Sequence, residues 1–386
     1  MTFFDSRVRR RVGNTAVLGL VCALSLDVAG AASTPHGPCA AAKLKAAAKK
    51  TAAKLKCYSG AIKRARAVDL GCLLEAEQKF GAAVAKAEAK GGCIATGDAD
   101  AVEGDVDVGV GTVVADEPGG PGGDWVALVG RAWSMPAGRE AYRCRRIRIG
   151  SDMYIRAFRP VSPPGVFAMF VTVSPSTSSP LGDYDCNAGS LDQRLIYASG
   201  IGTGDFEFPL DVGVQLHAGD YVNLNLFLAN ADPDPADGIA GVLARTGSAA
   251  TVHQDATMLL AGTFNIGIPS DGQPHTAGGG CVWEHESQLV GVWPHLHSRG
   301  THVEMTITHG ASPTTVLDQP YVLDQQPIIP TSFALHTSDS VQTTCTYVND
   351  TGHTIFFGES SGAEQCFVGM YVWPSDGLSM FDCASN

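Results

Sequence analysis

YVNLNLFLAN, residues 221–230, is the stretch that decides the fold. Val222, Leu224, Leu226 and Leu228 take alternate positions, with Asn223, Asn225, Phe227 and Ala229 between them. A period of two is that of a strand with one face on a core. GVFAMFVTV (165–173) and THVEMTIT (301–308) also read as strands. Turn sequences recur between such runs as PPG, ADPDPADG, PSDG and NDTG. Residues 126–386 are therefore expected to be all-β and built as sandwiches. Composition agrees, because 45 glycines and a charged fraction of only 17% suit short strands and many turns.

The N-terminus reads differently. Arg7, Arg9, Arg10 and Arg11 precede the apolar run AVLGLVCALSL, and VAGA follows with a small-x-small pattern. Residues 1–31 are expected to be a signal peptide cleaved after Ala31, the apolar run being too short to span a bilayer. The expected location is secreted or periplasmic, with no membrane span. Of eleven cysteines, Cys22 falls in this leader and an even number remains, as a disulfide framework requires. No CxxC spacing suggests zinc. The net charge of −12 argues against a nucleic-acid partner.

Residues 32–93 are rich in Ala and Lys, and between Cys39 and Cys93 twelve basic residues face four acids. These are strong helix formers. Cys39, Cys57, Cys72 and Cys93 nest about one centre, which suits an antiparallel hairpin closed by Cys39–Cys93 and Cys57–Cys72. A solvated lysine face and an acid-binding surface are both open for this unit. Residues 94–125 are Gly- and Asp-rich and are expected to be a linker; their acids lack a complete calcium-loop pattern.

Several ordered pieces of the β region carry a resemblance. AYRCRRIRI, YIRAFRPVSPPG, YDCNAG, MLLAGTFNIGIP, WPHLHSRG, TCTYVND and GESSGAEQCFVGMYVWP follow one another. Together they resemble the copper type II, ascorbate-dependent monooxygenases, the family of peptidylglycine α-hydroxylating monooxygenase and dopamine β-monooxygenase, in its secreted bacterial branch. The resemblance implies two tandem jelly-roll sandwiches, here 126–260 and 261–386, facing each other across a solvent-filled cleft. It also implies the disulfides Cys345–Cys366 and Cys281–Cys383, which leaves Cys144 to pair with Cys186.

Active members of that family hold one copper in the first domain through a His-His pair and a later His. They hold a second copper through H-x-H and a Met. This chain keeps His295 and His297 as the H-x-H. Phe167 and Ala168 stand at the His-His pair, Phe227 at the third His, and Gln365 at the Met. Phe and Ala have no lone pair for a metal, so the first copper site is expected to be lost. Gln365 offers an amide oxygen, harder than a thioether, which moves preference away from Cu(I). His302 is a candidate third ligand if Gly300 bulges its strand. The expectation is at most one copper, on His295, His297 and Gln365, with hydroxylation impaired; ascorbate matters only if the protein is active. Two alternatives stand beside it. One is a metal-free double sandwich binding a small molecule or protein in the interdomain cleft. The other is an active monooxygenase with atypical ligands.

Overall fold

A computed structural model describes residues 37–64, 69–99, 102, 106, 110, 125–177 and 180–385. The expected leader, residues 1–31, lies outside these. Helix α1 (Gly37–Lys63) and helix α2 (Leu70–Ala89) form the hairpin. Asp69 caps α2 by accepting the Cys72 amide at 3.2 Å. Cys39–Cys93 and Cys57–Cys72 bond in the nested order. Between the helices, Lys50 and Lys54 both pair with Glu77, and Lys43 pairs with Glu88 at 2.7 Å and with Asp98.

The hairpin docks on the sandwich. Leu74 packs with Trp125, Ala127, Ala157 and Leu243, and the Tyr58 hydroxyl donates to the Trp125 carbonyl. The segment expected as a linker also packs. Ala99, Val102, Val106 and Val110 carry helical backbone. Val102 lies against Ala46 and Phe80, and Val106 and Val110 against Tyr58 and Leu73. Valines four apart make one helical face, a signal masked by the Gly and Asp between them.

The first sandwich contains β1 (Trp125–Met135), β2 (Arg139–Arg148), β3 (Met153–Val161), β4 (Val166–Ser174), β5 (Gly182–Asp185), β6 (Arg194–Gly200), β7 (Phe206–Glu207), β8 (Asp211–Leu216), β9 (Tyr221–Asn230), β10 (Ala236–Thr246) and β11 (Val252–Asp255). The second contains β12 (Thr257–Thr263), β13 (Gly267–Ile268), β14 (Pro274–Val282), β15 (Ser287–Leu296), β16 (Gly300–His309), β17 (Ser312–Pro320), β18 (Ile329–Leu335), β19 (Ser340–Val348), β20 (Ile355–Phe356), β21 (Cys366–Trp373) and β22 (Cys383–Ser385). The protein is thus mostly β, with two sandwiches of jelly-roll class behind a disulfide-stapled hairpin. The expected boundary at 260/261 falls inside β12, so the second sandwich begins at Thr257.

Each sandwich has its own outer sheet, ordered β1-β10-β3-β8-β11 in the first and β14-β19-β16-β17 in the second. Their inner sheets run together as β18-β15-β21-β12-β6-β4-β9-β2-β5. A single residue pair, Met258 with Leu195, joins the two halves of that sheet. Cys144–Cys186, Cys281–Cys383 and Cys345–Cys366 complete the disulfides.

β9 shows why the alternating stretch was informative. Val222, Leu224, Leu226 and Leu228 lie in the first core with Phe158 and Tyr197. The opposite face, expected to look onto a cleft, is buried as well. Asn223 accepts from the Tyr184 hydroxyl at 2.6 Å and donates to the Ser190 carbonyl at 2.8 Å, and Asn225 donates to the Asn187 carbonyl at 3.0 Å. The 186–190 segment supplies carbonyl acceptors for both amide nitrogens, while Asn225 Oδ1 has no partner among the described residues.

Replacing Leu74 by Ala is expected to loosen the hairpin from β1, at a cost of about 2–4 kcal/mol. Chemical denaturation followed through the helical circular-dichroism signal measures this.

Candidate metal centre

His295 and His297 are two apart near the end of β15, so they point to one side of the strand. β15 pairs with β21 in the register His295 to Phe367, which brings the residues just before Cys366 alongside the imidazoles. Both histidines are 2% exposed, not surface or cleft residues. Trp293 stacks on His295, with ring centroids 4.5 Å apart.

The partners of each ring decide what it can do. His295 Nδ1 is 2.9 Å from Gln326 Oε1. The Gln326 amide nitrogen donates to the Leu323 carbonyl at 2.7 Å, so its oxygen is the atom that meets the imidazole. Gln365 is the second hydrogen-bond partner of His295. Its nitrogen is taken by the Gly358 carbonyl at 3.3 Å and Glu359 Oε2 at 3.0 Å, which leaves its oxygen for His295. His297 Nδ1 is 2.9 Å from the Ala363 carbonyl, and the Ser360 carbonyl is its second partner.

Each imidazole therefore faces two acceptors, but a neutral imidazole has one proton to donate. With Nδ1 donating, each Nε2 presents a lone pair. A second proton is unfavourable there. Burial, and then the neighbouring His297, hold His295 down to about 3. Burial also lowers His297. Anchoring of Nδ1 on a carbonyl oxygen is the arrangement that fixes a metal-ligating histidine. The donor atoms gathered here are the two Nε2 lone pairs and the Gln365 and Ser360 oxygens. Among the described residues no three of His, Cys, Asp and Glu gather as a metal cluster, so this donor set rests on amide and main-chain oxygens.

Phe167, Ala168 and Phe227 come together opposite the histidines. Ala168 pairs with Phe227 across β4 and β9, and the Phe167 and Phe227 rings are 5.2 Å apart. They form an apolar cluster with Tyr142, Phe170 and Leu323. Phe167 meets His297 edge-on at 5.4 Å, and Phe170 meets His295 at 6.2 Å. The expected solvent-filled cleft is thus closed at the histidines, because aromatic rings fill it. What stays open is a cavity of about 530 Å³ alongside, lined by Phe264, Phe357, Phe367, Phe381, Glu359 and Gln365 among others.

His302 does not join. The register slips between Gly300 and His302, but Nε2 bonds to Asp318 at 2.9 Å on the outer sheet. Three further participants were not singled out from the sequence. Gln326 is one, and the Ala363 carbonyl is another. The third is Glu364, fully buried, which accepts from the backbone amides of His297 at 3.0 Å and Arg299 at 2.6 Å. Burial raises the Glu364 carboxyl to about 7, against those hydrogen bonds. Gly200 had a signal: glycine ending a strand marks close approach. A Cβ there would lie 2.2 Å from Gln326 Oε1.

No protein-family model matches this chain, and no curated protein matches it. Among solved structures it is similar to the major capsid protein P2 from bacteriophage PM2, at 12% identity over 65% of this chain and 100% of that one, with a TM-score of 0.30. It is also similar to the STIV MCP, at 12% identity over 58% and 92%, with a TM-score of 0.23. A third is the infectious bursal disease virus VP2 subviral particle, at 12% identity over 66% and 72%, with a TM-score of 0.16. Scores this low carry no argument about what the chain does.

Two outcomes are expected. Gly200→Ala pushes the Gln326 amide off His295 and costs about 1–3 kcal/mol in thermal or chemical denaturation. On an NMR pH titration, His295 stays neutral to about pH 4. An unfolded histidine titrates near pH 6.5. The unfolded chain therefore takes up a proton that the fold refuses, and this group's contribution to stability falls as pH drops from about 6.5 to about 3. Glu364 acts in the opposite sense: its contribution falls as pH rises from about 4.5 to about 7.

Proposed function

We propose that this chain is an exported member of the copper type II, ascorbate-dependent monooxygenase group that keeps one metal position and has lost the other. The observation that carries the reading is the pair of buried histidines, each anchored through Nδ1 to a carbonyl oxygen. His295 and His297 would hold one copper through Nε2, with Gln365 as the third ligand. Two imidazoles and an amide oxygen suit Cu(II) better than Cu(I). Copper supplies one-electron and O2 chemistry when bound. The protein's part is to orient the two rings, keep them neutral, and exclude water with Trp293, Phe167 and Phe170.

Hydroxylation coupled to ascorbate needs a second copper. At that place stands the Phe167, Ala168 and Phe227 cluster, which offers no donor atom. The reading is therefore of a metal-binding protein impaired in hydroxylation, not of an active enzyme with substitute ligands. Five disulfides support an oxidising compartment, secreted or periplasmic. No described helix is long and apolar enough to cross a membrane.

A second reading is a metal-free binding module. The cavity of about 530 Å³ favours it: its size and phenylalanine lining suit a small apolar molecule.

Metal loading separates the two. The protein is saturated with copper, desalted, and weighed by native mass spectrometry beside His295→Ala/His297→Ala. One copper per chain, lost in the variant, is expected. Two coppers would overturn the account of the first sandwich. No copper, with an apolar fluorophore bound in the cavity and displaced by Phe264→Asp, would establish the second reading.

A further inference from the structure

The hairpin offers a surface that the metal site does not use. α1 carries seven lysines and no acid. Lys43, Lys50 and Lys54 turn inward and are neutralised by Glu88, Asp98 and Glu77. The other four, Lys45, Lys49, Lys56 and Lys63, are exposed and make no ion pair among the described residues. At 100° per residue they fall within about 40° of arc, in a stripe about 27 Å long. Beside them runs an apolar row. Leu44, Leu55 and Ile62 share one line about 100° round the helix. Leu44 is 70% and Ile62 40% exposed, while Leu55 is half-buried. Thr51 lies on the same line and returns its hydroxyl to the Ala47 carbonyl at 3.1 Å, so it presents no unmet donor. Exposed Ala41, Ala48 and Ala52 fill the ground between the rows with small side chains.

We propose that this outer face of α1 is a docking surface for an anionic lipid bilayer, with the helix lying in the headgroup plane. The lysine stripe matches a sheet of phosphate charge, each lysine adding about 1 kcal/mol near such a surface. The exposed Leu44 and Ile62 side chains reach below the headgroups, while Leu55 packs inward on the hairpin core, and a helix with a basic and an apolar row is the form that binds at an interface. A soluble polyanion would use the lysines and leave the apolar row unburied. The body the hairpin carries is acidic, because the whole chain is at −12 while the helical unit is basic. Repulsion of that body by the membrane holds the hairpin foremost.

The test is co-sedimentation of the full chain with vesicles of phosphatidylglycerol and phosphatidylcholine, and with vesicles of phosphatidylcholine alone. Binding is expected to the anionic vesicles only, and to weaken as salt rises. The variant with Lys45, Lys49, Lys56 and Lys63 all changed to Gln is expected to bind at least about a hundredfold more weakly. Leu44→Ser/Ile62→Ser, at unchanged charge, is expected to weaken binding about tenfold or more. Equal binding to both vesicle types, or a lysine variant that binds like the parent, overturns the proposal. So does a Leu44/Ile62 variant that binds like the parent, because the contact would then rest on charge alone with no insertion of the apolar row. All these positions are exposed, and helical circular dichroism verifies that the variants fold. None of these positions lies near His295 or His297, so copper stoichiometry is expected to be the same in parent and variants, and this test and that of the metal site fail independently.

Discussion

Gln326 makes four hydrogen bonds, and the arrangement of the two sandwiches turns on them. Its backbone amide donates to the Ile201 carbonyl at 3.1 Å, and its own carbonyl accepts from the Thr203 hydroxyl at 2.5 Å. Both partners belong to the first sandwich. Its side chain faces the second, holding His295 with its oxygen and the Leu323 carbonyl with its nitrogen. The residue is fully buried, so each of these groups would cost about 1–3 kcal/mol if left unmet. Room for it comes from glycine. A Cβ at Gly200 would strike the Gln326 side chain, and one at Gly202, where φ is +78°, would strike the Asp324 carbonyl. One residue thus fixes both the approach of the two halves and the tautomer of a buried histidine.

The hairpin obeys a different physics. Its core is small, and it is held by two disulfides, by ion pairs across the helices and by Leu74 on the sandwich. Buried lysines are tolerable there because each has a carboxylate partner at its end. The sorting of α1 lysines into paired and unpaired sets follows the helical period, as the hydrophobic sorting of β9 follows a period of two.

Much of the fold was legible because it depends on such local periods. β9 ends where the alternation ends, and the cysteine nesting gave the hairpin bonds. The valines at 102, 106 and 110 were legible in principle, but composition outweighed their spacing. The site was legible only in part. His295, His297 and Gln365 are adjacent in the fold, as are Phe167, Ala168 and Phe227. Gln326, Ala363 and Glu364 were not read out, because Ala363 acts through its main-chain carbonyl and the side chains of Gln326 and Glu364 meet partners set only by packing between distant segments. The closure of the cleft was hidden for the same reason. It depends on how far two sheets approach, and no strand encodes that alone.

The inner sheet crosses from one sandwich to the other through one residue pair, Met258 and Leu195. Everywhere else in that sheet neighbouring strands share a ladder of several pairs. Tension along the chain would therefore meet its weakest backbone link at this line, and each sandwich would keep its own ladders intact after the line gave way. Resistance there comes from aromatic side-chain contacts and from the two bonds that the main chain of Gln326 makes to Ile201 and Thr203. The backbone sets two rigid bodies; a handful of replaceable residues sets the joint between them.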